Sequence, residues 1–263
     1  MAGAVPSPIY GMTLDAVDGI NKITNSLGNL QKKPTARIVF DEFVQPSYYR
    51  DPVVQIKQVS YVMGELLDSF YVPQYSVNDY LQRTRDYTAQ LGDAVDIWEV
   101  GNEVNGEWLG NTPDVVAKIS GAYDIVKGQG HTAALTLYYN AGCYAKPANE
   151  MFTWAAANVP DRMKQGLDYV LISYYEDDCE NLHPDWQTVF DKLHAMFPNS
   201  KIGFGEVGTS NKAKKQEYMQ RYYSTKITTP NYIGGYFWWY GKQDLVPMRK
   251  NLWQVFNNVT SNN

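Results

Sequence analysis

Cysteine is scarce, with only Cys143 and Cys179 in 263 residues. That scarcity excludes a small disulfide-scaffolded fold and allows one bridge at most. Long apolar runs are missing as well. None approaches the roughly 18 to 20 residues that span a bilayer, so no transmembrane segment and no membrane partner are expected. Positive charge is also in short supply, with 23 Lys and Arg against 28 Asp and Glu and a formal net charge of −5. Nucleic-acid binding draws on clustered cations, and the chain has no basic stripe, so no nucleic-acid partner is expected. The densest positive cluster, Lys212, Lys214 and Lys215, reads as the solvated face of a helix. His131, His183 and His194 show no metal-ligand spacing, and neither a metal nor a cofactor is expected. No Pro/Gly/Ser-rich linker or low-complexity tract divides the chain.

What is present is apolar and aromatic. A hydrophobic content of 44% and an aromatic content of 14% suffice for one large core, and the length suits one α/β barrel. Apolar runs alternate with segments of helical periodicity, which implies parallel strands joined by crossover helices. The spacing predicts strands at Ile9–Leu14, Ala36–Phe40, Phe70–Gln74, Val95–Val100, Ala134–Tyr139, Tyr169–Ser173, Lys201–Phe204 and Gly234–Trp239. Asp51-Pro52 and Thr112-Pro113 each place a capping side chain before a proline suited to the first helical position. Val53, Ile56, Val59, Met63 and Leu66 then recur at helical spacing, as do Trp186, Val189, Phe190, Leu193 and Phe197. A last helix from Met248 to about Val259 carries Leu252, Val255 and Phe256 on one side. Eight strand-helix alternations favour a single (β/α)8 TIM barrel over residues 1–263, with an open doubly wound sheet as the alternative.

In a barrel the chemistry belongs on the loops after the strands. Two glutamates occupy that position: Glu103 after the fourth predicted strand and Glu206 after the seventh. A carboxylate pair suits glycosidic bond cleavage, because one group can protonate the leaving oxygen while the other attacks or stabilises the oxocarbenium-like carbon. The fourth and seventh strands lie across the barrel from one another, so their inward side chains can face each other over the mouth. The alternative is a pair of strand-end carboxylates in structural salt bridges.

At these residues the sequence resembles the clan-A retaining glycoside hydrolases. Trp98-Glu99-Val100-Gly101-Asn102-Glu103 resembles their strand-four motif, and Gly205-Glu206-Val207-Gly208 their strand-seven motif. The resemblance implies Glu103 as general acid/base, Glu206 as nucleophile, and Asn102 as a ligand of the sugar hydroxyl beside the reacting carbon. Arg37 resembles the strand-two arginine aimed at the nucleophile, and Ile172-Ser173-Tyr174-Tyr175 the segment whose tyrosine donates to it. Of the two tyrosines, Tyr175 is preferred. Gly235-Tyr236-Phe237-Trp238-Trp239 resembles the strand-eight segment whose tryptophan floors the cleaved-sugar subsite. Only one of the two tryptophans should reach the sugar, and Trp238 is preferred.

The chain departs from the pattern at Val104, where proline often follows Asn-Glu, and at Tyr138-Tyr139-Asn140, where many members carry a histidine. Asn140 is expected at the substrate, and Trp108 either at a leaving-group subsite or packed in a lid. Glu99 is expected in a structural network, and Asp41 or Glu42 at sugar hydroxyls or on a surface loop. The acidic loop Glu176 to Glu180 is expected to be solvated, with a cationic amino sugar as the other reading. Cys143 and Cys179 follow adjacent strands, so they are either bridged or two buried thiols.

The expected activity is retaining hydrolysis of a β-linked oligosaccharide or polysaccharide by a monomer, endo-acting for preference, without cofactor. For retention the carboxyls should stand about 5 to 5.5 Å apart. A transglycosylase with the same site and a non-catalytic carbohydrate-binding barrel are the rivals. A secreted or periplasmic location is expected. The segment from Met1 to Pro8 lacks the charged and apolar regions of a signal peptide and reads as a start methionine fused to a mature domain.

Overall fold

The computed structural model describes residues 4–262; Met1 to Gly3 of the N-terminal segment lie outside them. Eight parallel strands close in sequence order into a barrel. The elements are β1 (Ile9–Leu14), α1 (Ile20–Gly28), β2 (Thr35–Val39), α2 (Pro46–Val59), β3 (Tyr61–Glu65), α3 (Val77–Leu91), β4 (Ile97–Gly101), α4 (Thr112–Gly128) and β5 (Ala133–Tyr138). There follow α5 (Met151–Asn158), α6 (Asp161–Gly166), β6 (Tyr169–Tyr174), α7 (Trp186–Met196), β7 (Lys201–Val207), α8 (Lys215–Tyr223), β8 (Gly234–Trp238), α9 (Gly241–Leu245) and α10 (Asn251–Ser261). The TIM-barrel expectation holds, and the open sheet is excluded by closure of β1 on β8.

The third strand is not where the spacing predicts it. Residues Ser69–Gln74 form a 3-10 helix, and β3 is Tyr61–Glu65. The error has a physical origin: Met63 and Leu66 continue the three-and-four spacing of α2 by coincidence, although that helix stops at Val59 and Ser60 is extended. Helix α2 also begins earlier than Asp51-Pro52 suggests, with Pro46 in its first turn and Pro52 inside it. At α4 the cap is Asn111 rather than Thr112; its side chain accepts from the Asp114 N–H over 2.9 Å. Helix α10 buries Trp253 and Phe256, while Leu252 and Val255 are only half-buried.

The barrel interior explains where the chemistry sits. Met63, Ile97, Ala134 and Leu171 belong to one buried apolar cluster inside the barrel. Side chains two residues apart on a strand share a face, so the next inward positions are Glu65, Glu99, Thr136 and Ser173. A polar layer therefore lies on the apolar one at the C-terminal end of the strands. All four of its members are buried. Around the barrel, Trp98, Phe40, Phe204 and Phe190 pack the sheet against its helices.

Candidate active site

Arg37, wholly buried on β2, is the hub of the polar layer. Its Nε and Nη2 donate to the two oxygens of Glu99 over 2.7 and 3.1 Å, and its Nη1 donates to Glu206 Oε2 over 2.9 Å. Nη2 also stands 3.0 Å from Glu65 Oε2. Thr136 donates its hydroxyl to Glu99 from β5. Glu99 is thus held in a network, as its mid-strand position predicts.

Glu206 receives a second donor, the Tyr175 hydroxyl, so each of its oxygens has a partner. Tyr174 turns the other way, donating to the Leu182 carbonyl and packing on Tyr139 and Trp186. Glu103 follows β4 with a φ of 49°, a left-handed conformation uncommon for a glutamate and of the kind that clusters at functional positions. Its oxygens accept from Ser173 over 2.6 Å and from Ser69 over 2.9 Å, and Ser69 in turn accepts from Trp108 Nε1 over 3.0 Å. Ser173 is also the register partner of Glu206, which brings the two glutamates over one strand end.

Burial raises the pKa of both carboxyls above the ordinary 4.5, opposed at Glu103 by the two serine hydroxyls. At Glu206 burial outweighs Arg37 and Tyr175, and the net position is about 8. Arg37 acts to lower the Glu206 pKa, but dehydration is the larger effect.

Glu103 and Glu206 line one cavity of about 440 Å³ together with Asp68, Phe70, Trp108, Tyr138, Tyr175, Asp178 and Trp239. A second cavity of about 350 Å³, bordered by Asp15, Asp41, Glu42 and Tyr71, shares Asp68, Phe70 and Trp239 with it. The two cavities adjoin at those three residues.

Of the residues predicted at the substrate, Tyr175 and Trp108 line the first of these cavities, whereas Arg37, Asn102, Asn140 and Trp238 line neither. Trp238 is fully buried and donates its indole N–H to Asp244 over 2.9 Å, and it is Trp239 that lines the cleft, 6.0 Å from the Arg37 guanidinium. The cause is the backbone of β8, where φ is positive from Gly234 through Phe237, so face counting along the strand fails. A side chain at Gly235 would meet the Phe204 carbonyl at 2.3 Å. Asn140 is spent on its own loop, donating to Asn149 and accepting from the Met151 N–H over 3.0 Å. Asn102 is buried beside Glu103, and its side-chain oxygen accepts no hydrogen bond.

The acidic loop is largely tied down. Glu176 is buried against Arg221 and His183, and Asp177 accepts from Thr209, Lys214 and Tyr218; Asp177 and Asp178 both line the cleft. Lys215 is not solvated as predicted, but buried in an ion pair with Asp244. Cys143 and Cys179 are bridged, tying the loops after β5 and β6 together. The sequence does not single out Ser69 or Asp68, and marks Tyr138 only as part of a departure from the strand-five pattern. Ser173 sits inside the quoted strand-six segment, and its inward parity is the signal that identifies it. Among the described residues no group of three or more His, Cys, Asp or Glu is placed to hold a metal ion, and no helix is long and apolar enough to cross a membrane.

No protein-family model matches the sequence, and no curated protein matches it. Solved structures match the fold. Saccharomyces cerevisiae Gas2p in complex with laminaritriose and laminaritetraose superposes with a TM-score of 0.60 at 14% identity over 96% of this chain and 64% of the Gas2p chain. This chain therefore spans under two thirds of that protein's length. A GH113 β-1,4-mannanase gives a TM-score of 0.60 at 12% identity, covering 98% of this chain and all of the mannanase chain. A β-glucosidase gives 0.55 at 14% identity over 90% and 81%. The barrel of this chain is similar to those of glycoside hydrolases.

Proposed function

We propose that the chain is a single-domain retaining glycoside hydrolase acting on β-linked glycans. The observation that carries the reading is the unequal donor chemistry around the two glutamates of one cleft. A guanidinium can only donate hydrogen bonds, so Arg37 favours the charged form of Glu206; serine hydroxyls donate or accept, so Ser69 and Ser173 accommodate Glu103 as carboxylate or acid. The reactive form is the one in which the pair's single proton is on Glu103; Arg37 and Tyr175 favour that form, and the burial of Glu206 opposes it.

Glu206 then attacks the anomeric carbon while Glu103 protonates the departing oxygen, giving a glycosyl ester on Glu206. Glu103, now ionised, takes a proton from water, which displaces the sugar from Glu206 and leaves both carboxyls as they began. Arg37 and Tyr175 hold the nucleophile in one orientation. Asn102, with an unused buried acceptor, is assigned to a sugar hydroxyl beside the reacting carbon. Trp239 and Trp108 supply aromatic faces for pyranose rings on the two sides of the reacting bond.

A second cavity adjoins that of the pair on the side of Asp41 and Glu42, which supports endo action on a chain over exo action in a closed pocket. The laminari-oligosaccharides bound to Gas2p and the mannanase activity named for a second neighbour make β-glucans and β-mannans the first substrates to try. The Cys143–Cys179 bridge supports a secreted or periplasmic location, where disulfides persist.

The test is a polysaccharide panel scored for reducing ends, followed by NMR of the first-formed anomer on the best substrate. A product of retained configuration and mass-tagging of Glu206 by a fluorosugar are expected. Inverted product, or a tag on another residue, refutes the mechanism. A sugar acceptor in place of water would give transglycosylation through the same ester.

A further inference from the structure

The proposed reaction uses neither Glu65 nor Glu99, the two buried carboxyls of the polar layer, and of the two Glu65 is the one without a hydrogen bond. It closes β3, in register with Val39 of β2 and Glu99 of β4, and its side chain is 1% exposed. Glu99 takes two hydrogen bonds from Arg37 and one from Thr136, and Glu206 takes one each from Arg37 and Tyr175. Glu65 takes none: Arg37 Nη2 is 3.0 Å from Oε2, yet neither oxygen of Glu65 is in a hydrogen bond.

One guanidinium thus faces three buried carboxyls. Were all three ionised, the cluster would carry two uncompensated negative charges away from water, where like charges repel far more strongly than in bulk solvent. The group that keeps its proton is the one whose charge has the fewest donors.

We propose that Glu65 is a positioning residue, standing as a neutral carboxylic acid that packs one side of Arg37 without drawing its charge from Glu206. The groups that face Glu65 all bear on this. Arg37 on β2 favours its ionisation, whereas Glu99 on β4, Glu206 on β7 and Asp68 on the loop after β3 oppose it; Tyr80 of α3 is occupied with the Val100 carbonyl. Burial is the largest influence and also acts upward, so the Glu65 carboxyl lies well above its ordinary range. An ionised Glu65 would compete for Arg37 and add a negative charge beside Glu206, making the nucleophile harder to ionise.

The inference rests on the glycosidase reading only for its kinetic consequences, and the experiment keeps the two apart. Infrared spectra of the intact protein near neutral pH are compared with those of Glu65→Gln. Loss of a protonated-carboxyl C=O band in the variant is expected, and loss of a carboxylate band instead overturns the proposal. The Arg37 Nε–H resonance, read by 15N NMR, should move in Glu65→Ala and stay in place in Glu65→Gln. An unmoved resonance in Glu65→Ala overturns the positioning role whether or not a substrate has been found.

With a substrate in hand, Glu65→Gln should keep kcat and KM within about threefold and leave the acid limb of kcat/KM in place. Glu65→Ala should lower kcat about tenfold or more with KM nearly unchanged. A fall of the acid limb by about one pH unit in Glu65→Gln means that a charge was removed, and it overturns the proposal.

Discussion

Arg37 donates to Glu206 over 2.9 Å from below the barrel mouth, and still burial leaves Glu206 at about 8. The same dehydration that sharpens every interaction in the cleft makes Glu206, the proposed nucleophile, reluctant to ionise. That conflict has measurable consequences in both activity and stability.

The first consequence concerns Glu206→Gln. The unfolded chain releases this proton near 4.5, the folded protein at about 8. A raised carboxyl contributes stability that is complete below 4.5 and is lost as pH rises through 8. The amide has no proton to lose, so Glu206→Gln should be inactive yet more stable than the parent by up to ~3 kcal/mol at neutral pH. The gain should shrink to nothing as pH falls to about 4.5. Thermal melts across that range decide it; a gain that does not depend on pH points to packing instead. In the parent, kcat/KM should fall as pH drops below the Glu206 value of about 8.

A second prediction concerns Ser173, which donates to Glu103 over 2.6 Å from the strand next to Glu206. Ser173→Ala leaves Glu103 with Ser69 alone and should cost ~1 to 2 kcal/mol in the transition state. That corresponds to a fall in kcat of about tenfold. The fall should be largest on substrates with poor leaving groups, because these depend most on the proton that the proposed mechanism draws from Glu103. Equal losses on activated and unactivated glycosides would show that Ser173 serves Glu206 instead.

Most of this site was legible because its residues end apolar runs. Glu103 and Glu206 announce themselves that way, and Arg37 is conspicuous as a lone cation in Ala36-Arg37-Ile38. Glu65 ends Tyr61-Val62-Met63-Gly64 by the same rule, but Met63 and Leu66 fall in phase with α2 and hide the strand. Ser69 and Asp68 are hidden with it, since they lie in the loop after the true third strand, just before the segment whose spacing predicts a strand. Trp238 and Trp239 were misassigned for a different reason. Alternation presumes extended backbone, and four successive positive φ values in β8 break the count at a place no side-chain pattern reveals.

The tryptophan pair offers a third prediction, because its two members should fail differently. Trp239 lines the cleft, so Trp239→Ala should raise KM about tenfold with little change in melting temperature. Trp238 is fully buried and bonded to Asp244, so Trp238→Ala should cost ~3 to 5 kcal/mol of stability. Melting curves and substrate saturation on both variants separate the roles. A KM effect confined to Trp238→Ala would restore that residue to the sugar.

The disulfide supplies the last prediction. Cys143 and Cys179 close a loop with a sequence separation of 36, and Cys179 directly follows Asp178 at the cleft. Opening it frees the unfolded chain and should cost ~2 to 4 kcal/mol. Paired Cys143→Ser and Cys179→Ser substitutions should therefore lower the melting temperature by several degrees, as should reductant on the parent but not on the variant. The polar layer draws on the strands themselves, so Arg37, Glu99 and Glu206 should keep their arrangement while the loops after β5 and β6 loosen. Substrate affinity should weaken more than turnover. A collapse of kcat at unchanged KM would mean that the bridge holds Tyr175 or Ser173 in place, and that the site is less rigidly built on its strands than their hydrogen bonds imply.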